Sequence, residues 1–147
     1  MVNNPRKELW TPPSQPLPTA ELARRKPGPI YDLPTVQELV KEGGDGIFPA
    51  TDQCDDDLEK LEWDVDDVAL LLTALAQDDY RYSEWCKGRS NIAIDADAYR
   101  IRYDHIEQRR GGLQHAEYYV KFGFRNNDPR LIIWLVSCHL SRERHGY

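Results

Sequence analysis

The segment HAEYYVKFGFRNNDPRLIIWLVSCHLS, His115 to Ser141, decides how this chain is read. Two apolar runs flank Asn126-Asn127-Asp128-Pro129, a cluster of turn-forming residues. In the first run Ala116, Tyr118, Val120, Phe122 and Phe124 share one face, while Glu117, Tyr119, Lys121 and Arg125 share the other. Strict alternation is the period of a strand half-buried against a core. The spacing predicts two strands, 116–125 and 130–138, with an acid, a phenol and an amine in a row on the face turned away from the core.

Working outward, the period-two pattern begins at YRYSEWC (80–86) and continues in DADAYRIRYD (95–104), where Tyr99, Ile101 and Tyr103 alternate with Arg100 and Arg102. KGRSN and the glycines of EQRRGGLQ supply the loops between. Short links between strands favour antiparallel pairing. Ahead of residue 80 the period is helical. Val65, Val68, Leu71, Leu72 and Leu75 recur at helical spacing behind Asp64, a capping residue. A second, acidic helix is expected over roughly Thr51 to Leu61, where Asp55-Asp56-Asp57 sits near the positive end of the helix dipole. Consecutive helical residues diverge, so this triplet reads as dipole-matching charge rather than a metal site. A first helix is expected from Thr35 to about Glu42, capped by Thr35 with Glu38 at the capping-box position and stopped by Gly43-Gly44.

The fold class that follows is α+β: helices first, then an antiparallel, curved four-stranded sheet covered by helices on one face. Residues 1–29 stand apart, because they hold seven of the ten prolines in the chain. Proline fixes φ and cannot donate to a helix or ladder, so these residues read as an extended arm or linker, docked through Trp10 or mobile. Residues 30–147 form the expected folded domain.

Composition narrows the function. The chain has 147 residues, 40% of them hydrophobic, with four Trp and eight Tyr, enough for a real core. No apolar run approaches the ~20 residues needed to span a bilayer, and the N-terminus lacks the apolar stretch of a signal peptide. Cys54, Cys86 and Cys138 are odd in number and widely spaced, which reads as reduced thiols in a cytoplasm. The net charge of −6 is unevenly spread: residues 1–80 balance to −10 and residues 81–147 to +4. The basic half is able to attract a polyanion locally; an ordinary solvated surface accounts for it equally well.

No Gly-rich phosphate loop, H-E-x-x-H or G-x-S-x-G is present. His105-Ile106-Glu107 matches half of a zinc-deaminase signature, but the partner cysteine pair is missing. No cofactor and no metal are expected. What remains is a strand-borne set: Arg81, Tyr119, Lys121 and His139, with Arg100 and Arg102 close by in sequence. RNA is cut when its own 2′-OH attacks the adjacent phosphate. A base takes the hydroxyl proton, a cation stabilises the phosphorane, and an acid protonates the leaving 5′ oxygen. His139 suits the titrating role and Arg81 or Lys121 the cationic one. Tyr119 suits hydrogen bonding to the phosphate or stacking on a base. The bland reading stands beside this: Tyr and His on strands are often structural, and Lys121 and Arg102 suit a solvated sheet face. Trp85 and Trp134 read as packing. Cys138 and His139 are adjacent on a strand and face opposite ways, which argues against a dyad. SRERHGY reads as a basic C-terminal tail.

The order IYDLPTVQELVKEG, AQDDYRYS, DADAYRIRY, AEYYVKFGF and LVSCH resembles the MqsR family of bacterial toxins, over about residues 30–141. The resemblance implies a RelE-like fold and a type II toxin–antitoxin ribonuclease that cleaves mRNA and is silenced by a cognate antitoxin protein. It places the family's first catalytic lysine on Arg81, its glutamine on Ala96, its D-x-Y pattern on Asp97 and Tyr99, and its catalytic tyrosine on Tyr119. Lys121 matches the lysine two residues on, and the terminal catalytic lysine falls on His139. NNDPR lengthens the last hairpin relative to the family. Tyr119, His139 and Arg81 are thus the expected catalytic residues, with Lys121, Arg100 and Arg102 binding RNA. A binding module on the same scaffold, without cleavage, is the rival expectation, because the glutamine and both lysines are replaced. A nucleic-acid-associated regulator using the basic half is a third.

Overall fold

The computed structural model describes residues 5–7, 16–125 and 130–141. Trp10, the turn expected at Asn126–Pro129 and the tail expected beyond Ser141 lie outside the described residues. The chain is α+β. Its sheet contains β1 (Arg25–Lys26), β2 (Ile47–Pro49), β3 (Tyr80–Lys87), β4 (Ala93–Asp104), β5 (Arg109–Arg110), β6 (Glu117–Gly123) and β7 (Ile133–Leu140). The spatial order is β1-β3-β4-β6-β7-β2, with β5 paired to β4.

The four long strands are the antiparallel set that alternation predicts. The expectation of a four-stranded, wholly antiparallel sheet needs correction, since the sheet has seven strands and β2 pairs with β7 in parallel. The extra strands are two or three residues long, too short to carry a period. β2 is placed by partners more than eighty positions away, Ile47 opposite Ile133 and Phe48 opposite Trp134, and no local pattern encodes that pairing.

Four helices accompany the sheet in the described residues: α1 (Glu21–Arg24), α2 (Leu33–Leu39), α3 (Asp52–Leu61) and α4 (Val65–Ala74). The expected start of α2 at Thr35 also moves. Asp32 caps it, accepting from the Thr35 backbone N–H, and Pro34 fills the first turn, where a missing N–H costs nothing. Thr51, expected as the start of α3, is its N-cap, and Asp64 caps α4 as expected, in a reciprocal capping box with Asp67. Of the acidic triplet, Asp55 pairs with Arg89, which also holds Asp52.

The core lies between α2–α4 and one face of the sheet. Val36, Val68, Leu71 and Leu72 meet Tyr99, Ile101, Val120, Phe122 and Leu135, all buried. Tyr99 stacks on Phe122 with centroids 5.8 Å apart and planes at 5°. Burying aromatic area of this kind is the dominant favourable term. No helix in the described residues is long and apolar enough to cross a membrane.

The described part of the Pro-rich arm is docked on this body. Arg6 bridges to Tyr31 in a β-bridge. Its guanidinium donates twice to the Asp95 carboxylate, at 2.6 and 2.9 Å. Lys26 donates to the same carboxylate at 3.0 Å. Asp97 accepts from the backbone N–H of Ile30 and of Tyr31, and from Ser83 Oγ at 2.6 Å. Asp95 and Asp97 are both fully buried. A buried carboxylate is tolerated only when so paired. Burial alone would raise the Asp95 carboxyl; Arg6 and Lys26 outweigh it and hold it below its ordinary value. Burial prevails at Asp97, which is raised despite its hydrogen bonds.

Candidate functional site

The face of the sheet opposite the helices gathers the polar strand residues. Registers fix three rows across it. Arg100, Tyr119 and His139 are cross-strand neighbours. So are Tyr82, Ala98, Lys121 and Ser137, and so are Glu84, Ala96, Gly123 and Trp134. The alanines on central strand β4 leave room for side chains to reach across it. The Tyr82 and Tyr119 hydroxyls meet at 2.5 Å, and Lys121 Nζ donates to Glu84 Oε2 at 2.6 Å. Gly123 is required for close approach, because a Cβ there would lie 2.3 Å from the Asp95 carbonyl oxygen.

Tyr119 is the hub. Its ring stacks on His139 with centroids 5.0 Å apart and planes at 28°. The Arg100 guanidinium and the Lys121 ammonium each lie 5.9 Å from its centroid, on the outer edge of cation–π range. His139 Nδ1 is 2.9 Å from the Leu140 carbonyl oxygen. A carbonyl only accepts, so Nδ1 carries the proton and a neutral ring has its lone pair on Nε2. Burial pushes the Tyr119 phenol upward; Lys121 opposes that, while Tyr82 and Glu84 add to it. The phenol therefore keeps its proton at neutral pH. Burial pulls the Lys121 ammonium down, but Cys86, Tyr119 and Glu84 around it prevail, and it holds its proton more tightly than an ordinary lysine.

This face was expected to be open to solvent, and the structure corrects that. Tyr119 is 8% and His139 4% exposed. Residues of the arm lie on the face. Strand β1 pairs with β3, Arg25 opposite Glu84. The Arg25 guanidinium sits 3.6 Å from the Tyr82 ring centroid, and its Nε is 3.5 Å from Glu84 Oε1. A face carrying phenols and a buried acid offers a cationic strand good partners, so it does not remain bare.

The structure thus brings Tyr119, His139, Lys121 and Arg100 together. Arg81 occupies the bulge between Tyr80 and Tyr82 and is exposed; its guanidinium donates to the carbonyls of Asp78 and Tyr80, each at 3.1 Å. Tyr82, not Arg81, reaches Tyr119. Arg102 is exposed and donates to the His115 carbonyl at 2.7 Å. Cys138 is buried in the core on the other side of the sheet from His139. Both tryptophans are packed, Trp85 beneath Lys26 and Trp134 between Phe48 and Arg125.

Tyr82 and Glu84 are the members that sequence reading missed. Their signal is the same alternation: in YRYSEWC the positions 82, 84 and 86 share a face, and DADA supplies the small neighbours that let them cross. Arg25 carries no comparable signal. Among the described residues no group of three or more His, Cys, Asp or Glu is arranged to hold a metal ion. Comparison of the chain with models of known families, with curated proteins and with solved structures finds no match in any of the three.

Proposed function

We propose that this chain is an endoribonuclease that cuts mRNA through the ribose 2′-OH, with no need of a metal ion, as the toxin of a type II toxin–antitoxin pair. The observation that carries the reading is the stacked Tyr119–His139 pair beneath Arg100, with the His139 tautomer fixed by Leu140. His139 Nε2 takes the proton of the 2′-OH as that oxygen attacks phosphorus. Arg100 stabilises the added negative charge, and exposed Arg81 binds a neighbouring phosphate. Tyr119 gives its proton to the leaving 5′ oxygen; even with its pKa raised, a phenol is a stronger acid than the alcohol that forms. The products are a 2′,3′-cyclic phosphate and a 5′-hydroxyl, and the imidazolium proton restores the phenol through solvent. Lys121 is held by Glu84 and positions the Tyr119 ring.

Cleavage requires the covered face to open. Arg25, lying on Tyr82, is a contact that must yield. The cognate antitoxin would be a separate protein that keeps the face shut, and the place of action the cytoplasm. Neutralisation of Lys121 by Glu84 favours a second reading, a binding module that never cuts.

Expression of the chain alone in bacteria tests the proposal. Growth arrest with loss of mRNA is expected, relieved by His139→Ala and by Tyr119→Phe. Equal arrest in both variants removes this site assignment, and normal growth with intact mRNA favours the binding module.

A further inference from the structure

Between the arm and the polar face lies a cavity of about 740 Å³. Pro16, Leu17 and Pro18 of the arm line it together with Glu84, Cys86 and Lys121 of the sheet. We infer that this cavity is a subsite for one nucleotide carrying an amino-bearing base, an inference that rests on the RNA-cleaving reading and extends it to the residue beside the cut.

Its size falls within the ~300–1,000 Å³ of small-ligand pockets. Its walls are chemically divided. Pro16, Leu17, Pro18, Ala93 and Val136 supply apolar lining suited to the flat faces of a base. Arg24, Lys87 and Lys121 line the cavity against a single carboxylate, that of Glu84, so the occupant is an anion. Lys121 is already committed to Glu84, and Arg24 Nη1 donates to the carbonyls of Pro18 and Thr19, which leaves Lys87 and the remaining N–H groups of Arg24 for the phosphate. Lys87 is exposed, at the end of β3.

Glu84 gives the base preference. One carboxylate oxygen is held by Lys121, whereas the other, Oε1, is buried and ion-paired with Arg25 Nε at 3.5 Å but accepts no hydrogen bond. A buried acceptor without a donor is costly, and a carboxylate is the side chain that accepts from an exocyclic amine. An amino group entering as Arg25 shifts supplies the missing donor. Cytosine, adenine and guanine carry one; uracil does not. Lys121 ties the subsite to the reacting pair, because the same side chain lines the cavity and lies beside Tyr119.

Titration calorimetry with the full chain, using CMP, UMP and inorganic phosphate, tests this independently of cleavage, since none of the three contains the phosphodiester that the proposed reaction cuts. CMP should bind saturably, UMP at least tenfold more weakly, and inorganic phosphate more weakly again. Lys87→Glu, an exposed change, should weaken CMP tenfold or more, and Leu17→Trp, which fills the cavity, should abolish binding. Absence of CMP binding, equal affinity for CMP and UMP, or CMP binding indifferent to both variants overturns the inference. If the protein cuts RNA yet fails these tests, the subsite alone falls. If CMP binds as expected and RNA stays intact, the subsite stands and the nuclease falls.

Discussion

The two faces of the sheet are both buried, and by opposite means. On the helical face Tyr99, Phe122, Val120 and Ile101 meet leucines and valines of the helices, contacts without direction. On the other face Tyr82, Glu84, Tyr119 and Lys121 meet one another and the arm through hydrogen bonds, an ion pair and cation–π contacts. Alternation along β3, β4 and β6 produces both at once, as every second residue belongs to the other face. The difference teaches what each face is for. Apolar burial is stable whatever its partner, whereas a directional, charged surface is stable only while its partners stay matched, and it is the one suited to exchange a covering strand for a ligand.

The largest expected effect compares deletions on the two faces. Phe122→Ala should cost about 3–5 kcal/mol in a urea melt, through lost transfer energy and the cavity left behind. Lys121→Ala should cost a similar amount, roughly 3 kcal/mol, for a different reason: it leaves the buried Glu84 carboxylate without its only charged hydrogen-bond donor among the described residues, with the 3.5 Å Arg25 contact remaining. The reasons separate in the double variant. Lys121→Met with Glu84→Leu should recover most of the loss, since no orphan charge remains, while no second deletion rescues Phe122→Ala. Failure of the double variant to recover would break the comparison.

A second distinction is in pH. Cys86, on the polar face, is pushed from 9.0 up to about 11, chiefly by burial, with Lys121 opposing. Above pH 9 the unfolded chain releases this proton and the folded chain keeps it, so stability falls as pH rises and the loss is complete near 11. Its size is roughly 2–3 kcal/mol. Melts at pH 7.5 and 10.5 should show a smaller alkaline loss for Cys86→Ala than for the parent; an unchanged loss would mean that this thiol is not buried in solution.

The smallest effect belongs to the arm. Arg25→Ala removes a cation–π contact and an ion pair that share one half-buried guanidinium, worth about 1 kcal/mol. Amide exchange should nevertheless quicken around residues 24–26 and along β3, because a two-residue strand has little else to hold it. Unchanged exchange would show that the arm is held from elsewhere.

Much of this architecture is legible in the sequence, and the reasons are local. The long strands and α3 and α4 declare themselves by period and cap, and Tyr119, Lys121 and His139 fall on one face by counting in twos. What is not legible depends on distant residues. Three-residue β2 is a strand only because β7 runs beside it. Arg25 and Lys26 are a strand only because Glu84 and Ser83 face them. Proline content marks residues 1–29 as irregular but says nothing of Asp95, the β4 carboxylate that anchors Arg6 and Lys26 of this arm, or of Asp97, which holds Ile30 and Tyr31 just beyond it. For the same reason the sequence leaves the polar face looking bare when it is covered.

The most direct test of the central claim is chemical. A long RNA transcript is incubated in EDTA with the purified chain, with His139→Ala and with Tyr119→Phe, and the ends of any fragments are determined. The account expects discrete fragments ending in 2′,3′-cyclic phosphate from the parent chain, and at least a hundredfold slower cutting by either variant. Intact RNA with the parent chain, or undiminished cutting by His139→Ala, would contradict it.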